Sequence, residues 1–168
     1  MYTCEEELLL NRYLLFAVLN KLYTDSSSVW DPYQVGQINA IEMVQRKAAR
    51  FCLNRYQKMD SVSAMIQELN WNSLAERRKA SRLSSFCKVF NNEESLHDLN
   101  SHITRAPLEM LRHGHNFRVQ SINCRKNIGH YSFLPRSIRD WNSLPPGFMN
   151  EEVIEDPSHF RSLLIDHQ

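Results

Sequence analysis

Histidine, cysteine and arginine supply what chemistry this sequence can offer. His113-Gly114-His115, Cys124 and His130 could be drawn around a metal ion, yet the paired-cysteine and histidine spacing of a structural zinc site is absent. The cysteines, Cys4, Cys52, Cys87 and Cys124, lie far apart with no CxxC pair, and no secretory leader precedes them. They read as reduced thiols of an intracellular protein, nuclear or cytoplasmic. No glycine-framed serine marks a nucleophile elbow, and no local pattern sets a Cys/His or Ser/His/Asp trio apart. No catalytic residue, metal or cofactor is expected, and the histidines read as surface or nucleic-acid-facing groups.

What remains is charge. The 168-residue chain carries a formal net charge of only +1 at pH 7, but the distribution is uneven. Arg46 to Lys88 holds ten lysines and arginines against three carboxylates, and Arg105 to Arg139 holds seven against one. Residues 1–45, 89–104 and 140–168 are each net acidic. Two basic blocks set between acidic ones suit a protein that touches a polyanion, and they also suit plain solvated helix faces.

The elements that must carry these charges are mostly helices, and a hydrophobic fraction of 42% is enough to give them a core. In INAIEMVQRKAARFCLN, residues 38–54, Ile38, Ile41, Val44, Ala48 and Phe51 share one side at helical spacing, with Arg46, Lys47 and Arg50 toward the other. Trp30 and Asp31-Pro32 form a turn that feeds this helix. A second helix, opened by Asp60 or Ser61, repeats Val62, Met65, Ile66 and Leu69 before Asn70-Trp71-Asn72 breaks it. Ser73 and Glu76 then stand in capping-box spacing. The helix they open runs to about Phe90 with a stripe of Leu74, Leu83, Phe86, Cys87 and Phe90. Phe51, Leu69, Leu83 and Phe86 are expected to form one helical core, partly covered by Trp71.

Arg77, Arg78, Lys79 and Arg82 load the first half of that third helix. Cations there oppose the helix dipole by about 0.3–1 kcal/mol each when exposed. Either an anionic partner compensates them or the cost is borne by a solvated face. A partner is the expectation.

The apolar run from Leu8 to Leu22 is broken by Asn11, Arg12, Asn20 and Lys21, and it is shorter than the roughly 20 residues of a membrane span. It predicts a buried or interfacial helix, and no membrane. Beyond an acidic linker, short extended pieces are possible around Phe117–Ile122 and His130–Phe133. In YSFLPRSIRDWNSLPPGF, residues 131–148, Pro135 suits the first position of a helix, and the later prolines stop it. Phe133, Leu134, Ile138, Trp141 and Leu144 are predicted to point inward as a structural clamp, while Arg136 and Arg139 face elsewhere.

Four ordered stretches, SSVWDPY, IEMVQRKAARF, SVSAMIQELNWNSLAERRKASRL and YSFLPRSIRDWNSLP, also carry a resemblance. They resemble the C-terminal region of non-LTR (LINE-type) retrotransposon reverse transcriptases of the jockey and chicken-repeat kind. The tail PSHFRSLL is similar to that family's closing helix, so the likeness runs from about Ser27 to Leu164; Met1–Asp25 does not share it. The resemblance implies a position in and beyond the polymerase thumb. Polymerisation in that family needs paired aspartates holding two Mg²⁺, and no Asp-Asp pair occurs in this chain. The segment itself is therefore not expected to be an enzyme.

Together these readings predict a mainly α protein: a divergent N-terminal helix (1–27), a small helical, thumb-like bundle (28–91), an acidic linker (92–104) and a short helical and irregular C-terminal part (105–168). The expected function is sequence-non-specific binding of RNA or an RNA–DNA hybrid. Arg46, Lys47, Arg50, Arg77, Arg78, Lys79, Arg82, Arg136 and Arg139 would contact it, and Trp30, Phe51, Trp71, Phe133, Pro135 and Trp141 would be structural. The alternative is a non-catalytic structural or interaction remnant that pairs with a reverse transcriptase palm or another chain.

Overall fold

The structure, a computed structural model, describes residues 31–91, 97–107 and 115–166. Trp30, His113 and the helix expected over 1–27 lie outside them. The protein is mainly α-helical, and the described residues contain no sheet, only an isolated antiparallel bridge between Arg105 and Val119. No helix among them is long and apolar enough to cross a membrane. They fall into two compact units that divide at Arg78 and Lys79. That division lies inside a helix, ahead of the acidic stretch where the sequence suggested a linker.

The first unit is built from α1 (Val35–Leu53), α2 (Val62–Glu68) and the opening of α3 (Leu74–Phe90). Asn54 ends α1 in the left-handed region, φ 52°, so that the Arg55 N–H turns back to the Arg50 carbonyl at 3.1 Å. Asparagine accepts that conformation more cheaply than a bulkier residue, and the turn satisfies carbonyls the helix end leaves open. Ser61 caps α2 by accepting from the Ala64 N–H. Asn70, also left-handed at φ 51°, breaks it where the sequence placed the break. Ala49, Cys52, Met65 and Leu69 form the core, with Ile66 and Trp71 packed at its margin.

The buried face of α1 differs from the predicted one. Gln45, Ala49 and Cys52 point inward at i, i+4, i+7, whereas Val44 and Phe51 are 42% and 41% exposed. Two long-range polar contacts explain the rotation. Gln45 Nε2 donates to the Asn72 carbonyl at 2.8 Å, and the Glu42 carboxylate accepts the Ala75 and Leu74 N–H groups at 2.8 and 3.4 Å. Glu42 thereby caps α3 from another helix, beside the reciprocal capping box of Ser73 and Glu76. Buried donors and acceptors must be paired, so the polar face of α1 turns in and an aromatic turns out. Phe51 is not a core residue, and the single core expected around Phe51, Leu69, Leu83 and Phe86 is two cores.

In the second unit, Ala80, Leu83, Phe86 and Cys87 of α3 join Val119, Ile138, Trp141, Ile154, Phe160 and Leu164 in one cluster. The unit's further helices are α4 (His97–Asn100), α5 (Asn127–His130), α6 (Phe133–Asn142), α7 (Glu151–Glu155) and α8 (Pro157–Asp166), with a 3₁₀ turn at Pro146–Phe148; of these α6, α7 and α8 supply the cluster. Where an extended piece was expected at His130–Phe133, one helix ends at His130, another begins at Phe133, and Tyr131 and Ser132 turn between them. Pro135 is the third residue of α6 rather than its first, still inside the opening turn where an N–H has no intrahelical acceptor. Ile103 packs on this core, so the end of the supposed linker belongs to the unit.

Trp141 closes that core. Its ring is fully buried against Phe86, Phe90 and Phe160, with centroids 5.1, 5.3 and 5.5 Å away. Its Nε1–H donates to the Phe117 carbonyl at 2.8 Å. The neighbouring Asn142 completes the work. Bonds from Ala106 N to Arg118 O and from Gln120 N to Thr104 O flank the Arg105–Val119 bridge, so the Val119 backbone groups face away from it. The Asn142 side chain takes both: Oδ1 accepts from Val119 N at 2.9 Å, and Nδ2 donates to Val119 O at 2.7 Å. One carboxamide thus stands in for a third strand. The inward clamp read from the sequence is present, with Phe133 and Leu134 at the core's edge.

Candidate nucleic-acid interface

The cations of the first unit divide sharply by their partners. Asp31 and Glu42 lie 3.6 Å from the buried Arg78, Glu68 holds Arg55, Glu76 caps Ser73 N–H, and Asp60 accepts from Gln57 N–H. Every described carboxylate of the unit is therefore engaged. Arg46, Lys47, Arg50 and Lys58 have no carboxylate partner among the described residues. Arg46, Lys47 and Lys58 are exposed, and Arg50 is half-exposed. Lys58 was not anticipated from the sequence, because it follows the helix rather than continuing its spacing.

The arginines of α3 correct the sequence reading. Arg78 is 6% and Arg82 4% exposed. Arg78 is held by Asp31 and Glu42, and Arg82 pairs with Asp140. The anionic partner that this basic helix requires is intramolecular, and these two side chains do not face solvent. Arg77 and Lys79 are half-exposed on the same helix.

Asp140 is shared in the second unit. Burial, with help from Arg136, lowers the pKa of Arg82, and Asp140 opposes that shift. Burial likewise lowers Arg136, again with Asp140 opposing. Arg139 is exposed, 5.8 Å above the Tyr131 ring, and its Nη1 lies 2.6 Å from His130 Nε2. That contact is a hydrogen bond only while Nε2 carries no proton. Arg136 and Arg139 thus stand in a local aromatic and carboxylate setting, distinct from the α1 cations, which have no carboxylate partner among the described residues.

Among the described residues, no group of three or more His, Cys, Asp or Glu could hold a metal ion. His115 is 3% exposed, and its Nε2–H donates to the Trp141 carbonyl at 2.9 Å. Burial holds its pKa below the ordinary histidine value; the Trp141 carbonyl opposes the shift and Arg118 adds to it. Above a pH of about 6.5 the ring is neutral in folded and unfolded chains alike. Below that, the unfolded chain takes up a proton first, so stability falls until the pH passes the folded value. Urea unfolding should therefore show stability dropping from pH 7 to 5, and less so in His115→Gln. An identical drop in the variant would assign it to other groups.

No protein-family model, curated protein or solved structure matches the chain.

Proposed function

We propose that the chain is a non-catalytic, sequence-non-specific RNA- or DNA-binding module, drawn from beyond the palm of a LINE-type reverse transcriptase. One observation carries the binding role. The solvent side of the first unit presents Arg46, Lys47, Arg50 and Lys58 while all its described carboxylates are turned to other partners. Phosphates are the polyanion such a surface suits, and side chains of this kind fix a backbone without reading bases. The ordered resemblance of four segments supports the family. The second reading, docking onto another protein, draws on Met43, Val44 and Phe51, which are exposed along the same helix.

Fluorescence anisotropy with a labelled mixed-sequence RNA, repeated across salt, tests the proposal. Each phosphate contact contributes roughly 0.7 to the log–log slope for single strands, so engagement of these cations gives a slope of about −2 to −3. Lys47→Gln with Arg50→Gln should flatten it by about 1–1.5 and weaken all sequences alike. Absence of salt-sensitive binding in the intact protein would leave the docking reading in its place.

A further inference from the structure

An exposed pair on the second unit has chemistry of its own. Arg139, on α6, and His130, the last residue of α5, both face solvent, and Arg139 Nη1 lies 2.6 Å from His130 Nε2. A guanidinium has donors only, so the imidazole lone pair accepts and the ring proton sits on Nδ1. Tyr131 frames the pair. Its ring stands at 88° to that of His130, with centroids 5.2 Å apart, and the Arg139 guanidinium lies 5.8 Å from its centre. Charged groups flank His130 on both helices. Lys126, at the N-cap of α5, accepts the His130 N–H at its carbonyl, 3.0 Å away. Arg136 lies one turn before Arg139 on α6, and Asp140, next to Arg139, gives Oδ2 to Arg82. Burial leads the lowering of the Arg136 pKa, Asp140 opposes it and Arg139 adds to it, so the two arginines share one electrostatic neighbourhood.

A second proton on the His130 ring reverses its side of the contact. Nε2 then carries a hydrogen aimed at a guanidinium that can only donate, and two donors are left facing each other. An oxyanion set against both resolves the conflict, because it accepts from each through charge-assisted bonds. Binding the anion and binding the proton therefore favour one another, as linked equilibria must. The planar fork of a guanidinium matches two oxygens of a tetrahedral anion. We infer that Arg139 and His130 form an oxyanion site that takes up a phosphate or sulfate group together with a proton on His130. A nucleic-acid backbone and a free anion offer the same chemistry to it.

The test uses the full chain and sulfate, which keeps its charge between pH 6 and 8, with binding followed by nuclear magnetic resonance at constant ionic strength. Affinity should be about 5-fold or more higher at pH 6 than at pH 8. His130→Gln should lose that difference, and Arg139→Gln should weaken binding at both pH values. Circular dichroism at each pH confirms that the variants remain folded. Equal affinity of the unmodified chain at the two pH values, a difference that survives in His130→Gln, or full affinity in Arg139→Gln would each overturn the site. Labelled RNA, run in parallel, identifies the source of the anion. The same His130-dependent difference makes it a backbone phosphate, and a difference with sulfate alone makes it a small free anion. If RNA does not bind while the sulfate pattern holds, the nucleic-acid reading falls and this site stands.

Discussion

Trp141→Ala is expected to cost about 3–5 kcal/mol of stability, the range for deleting a large buried aromatic. The indole touches three other rings and donates to Phe117 O, so the variant leaves both a cavity and an unpaired carbonyl. Urea unfolding followed by far-ultraviolet circular dichroism measures the loss. A loss under about 1 kcal/mol would mean that the surrounding helices collapse onto the vacated space, contrary to the usual partial relaxation. Asn142→Leu separates packing from hydrogen bonding. It keeps side-chain bulk but leaves Val119 N–H and C=O without their partner, at about 1–3 kcal/mol for each group left unpaired. Salt-dependent RNA binding through α1 should be intact in whatever fraction remains folded.

The inward direction of Trp141 was legible in the sequence because Ile138 and Trp141 sit a helical step apart, between a proline that opens the helix and the prolines that end it. The Ser73–Glu76 box was legible for a similar reason: both partners lie within one turn, and local spacing fixes their geometry. The cap on α8 could have been read the same way. Asp156 followed by Pro157 is an N-cap before a first-turn proline, and Asp156 Oδ1 accepts from the Ser158 and His159 N–H groups.

What spacing could not supply was the direction of α1. Its apolar residues permit a face through Val44 and Phe51, and only the demands of Glu42 and Gln45 on residues 72–75 select another. Those contacts span some thirty residues, beyond the reach of any helical period. The same limit governs the basic residues. Periodicity groups Arg77, Arg78, Lys79 and Arg82 as one cluster, but burial depends on where Asp31, Glu42 and Asp140 arrive in space. A lone carboxylate such as Glu42 inside a basic helix was the available signal. It marks the side on which a distant cation and a helix N-terminus sit.

Arg78→Met should likewise destabilise the protein by about 3–5 kcal/mol, because removing one member of a buried ion pair strands the charge of the other. Two carboxylates are left behind here, Asp31 and Glu42, each within 3.6 Å of the present guanidinium. Glu42→Gln on top of Arg78→Met should recover part of the loss. The carboxamide oxygen can still accept the Ala75 N–H, while one stranded charge disappears. The double-mutant cycle then reports a coupling between the two side chains, as contacting residues generally show. Nucleic-acid binding gives the opposite pattern. At a salt and temperature where Arg78→Met remains folded, its log–log slope should equal that of the unmodified chain, since a side chain 7% exposed reaches no phosphate. Lys47→Gln with Arg50→Gln should instead flatten the slope and leave stability nearly unchanged, as exposed substitutions usually do. A flattened slope in Arg78→Met with stability intact would put its guanidinium in solvent, and the internal partner for the basic helix would be lost with it.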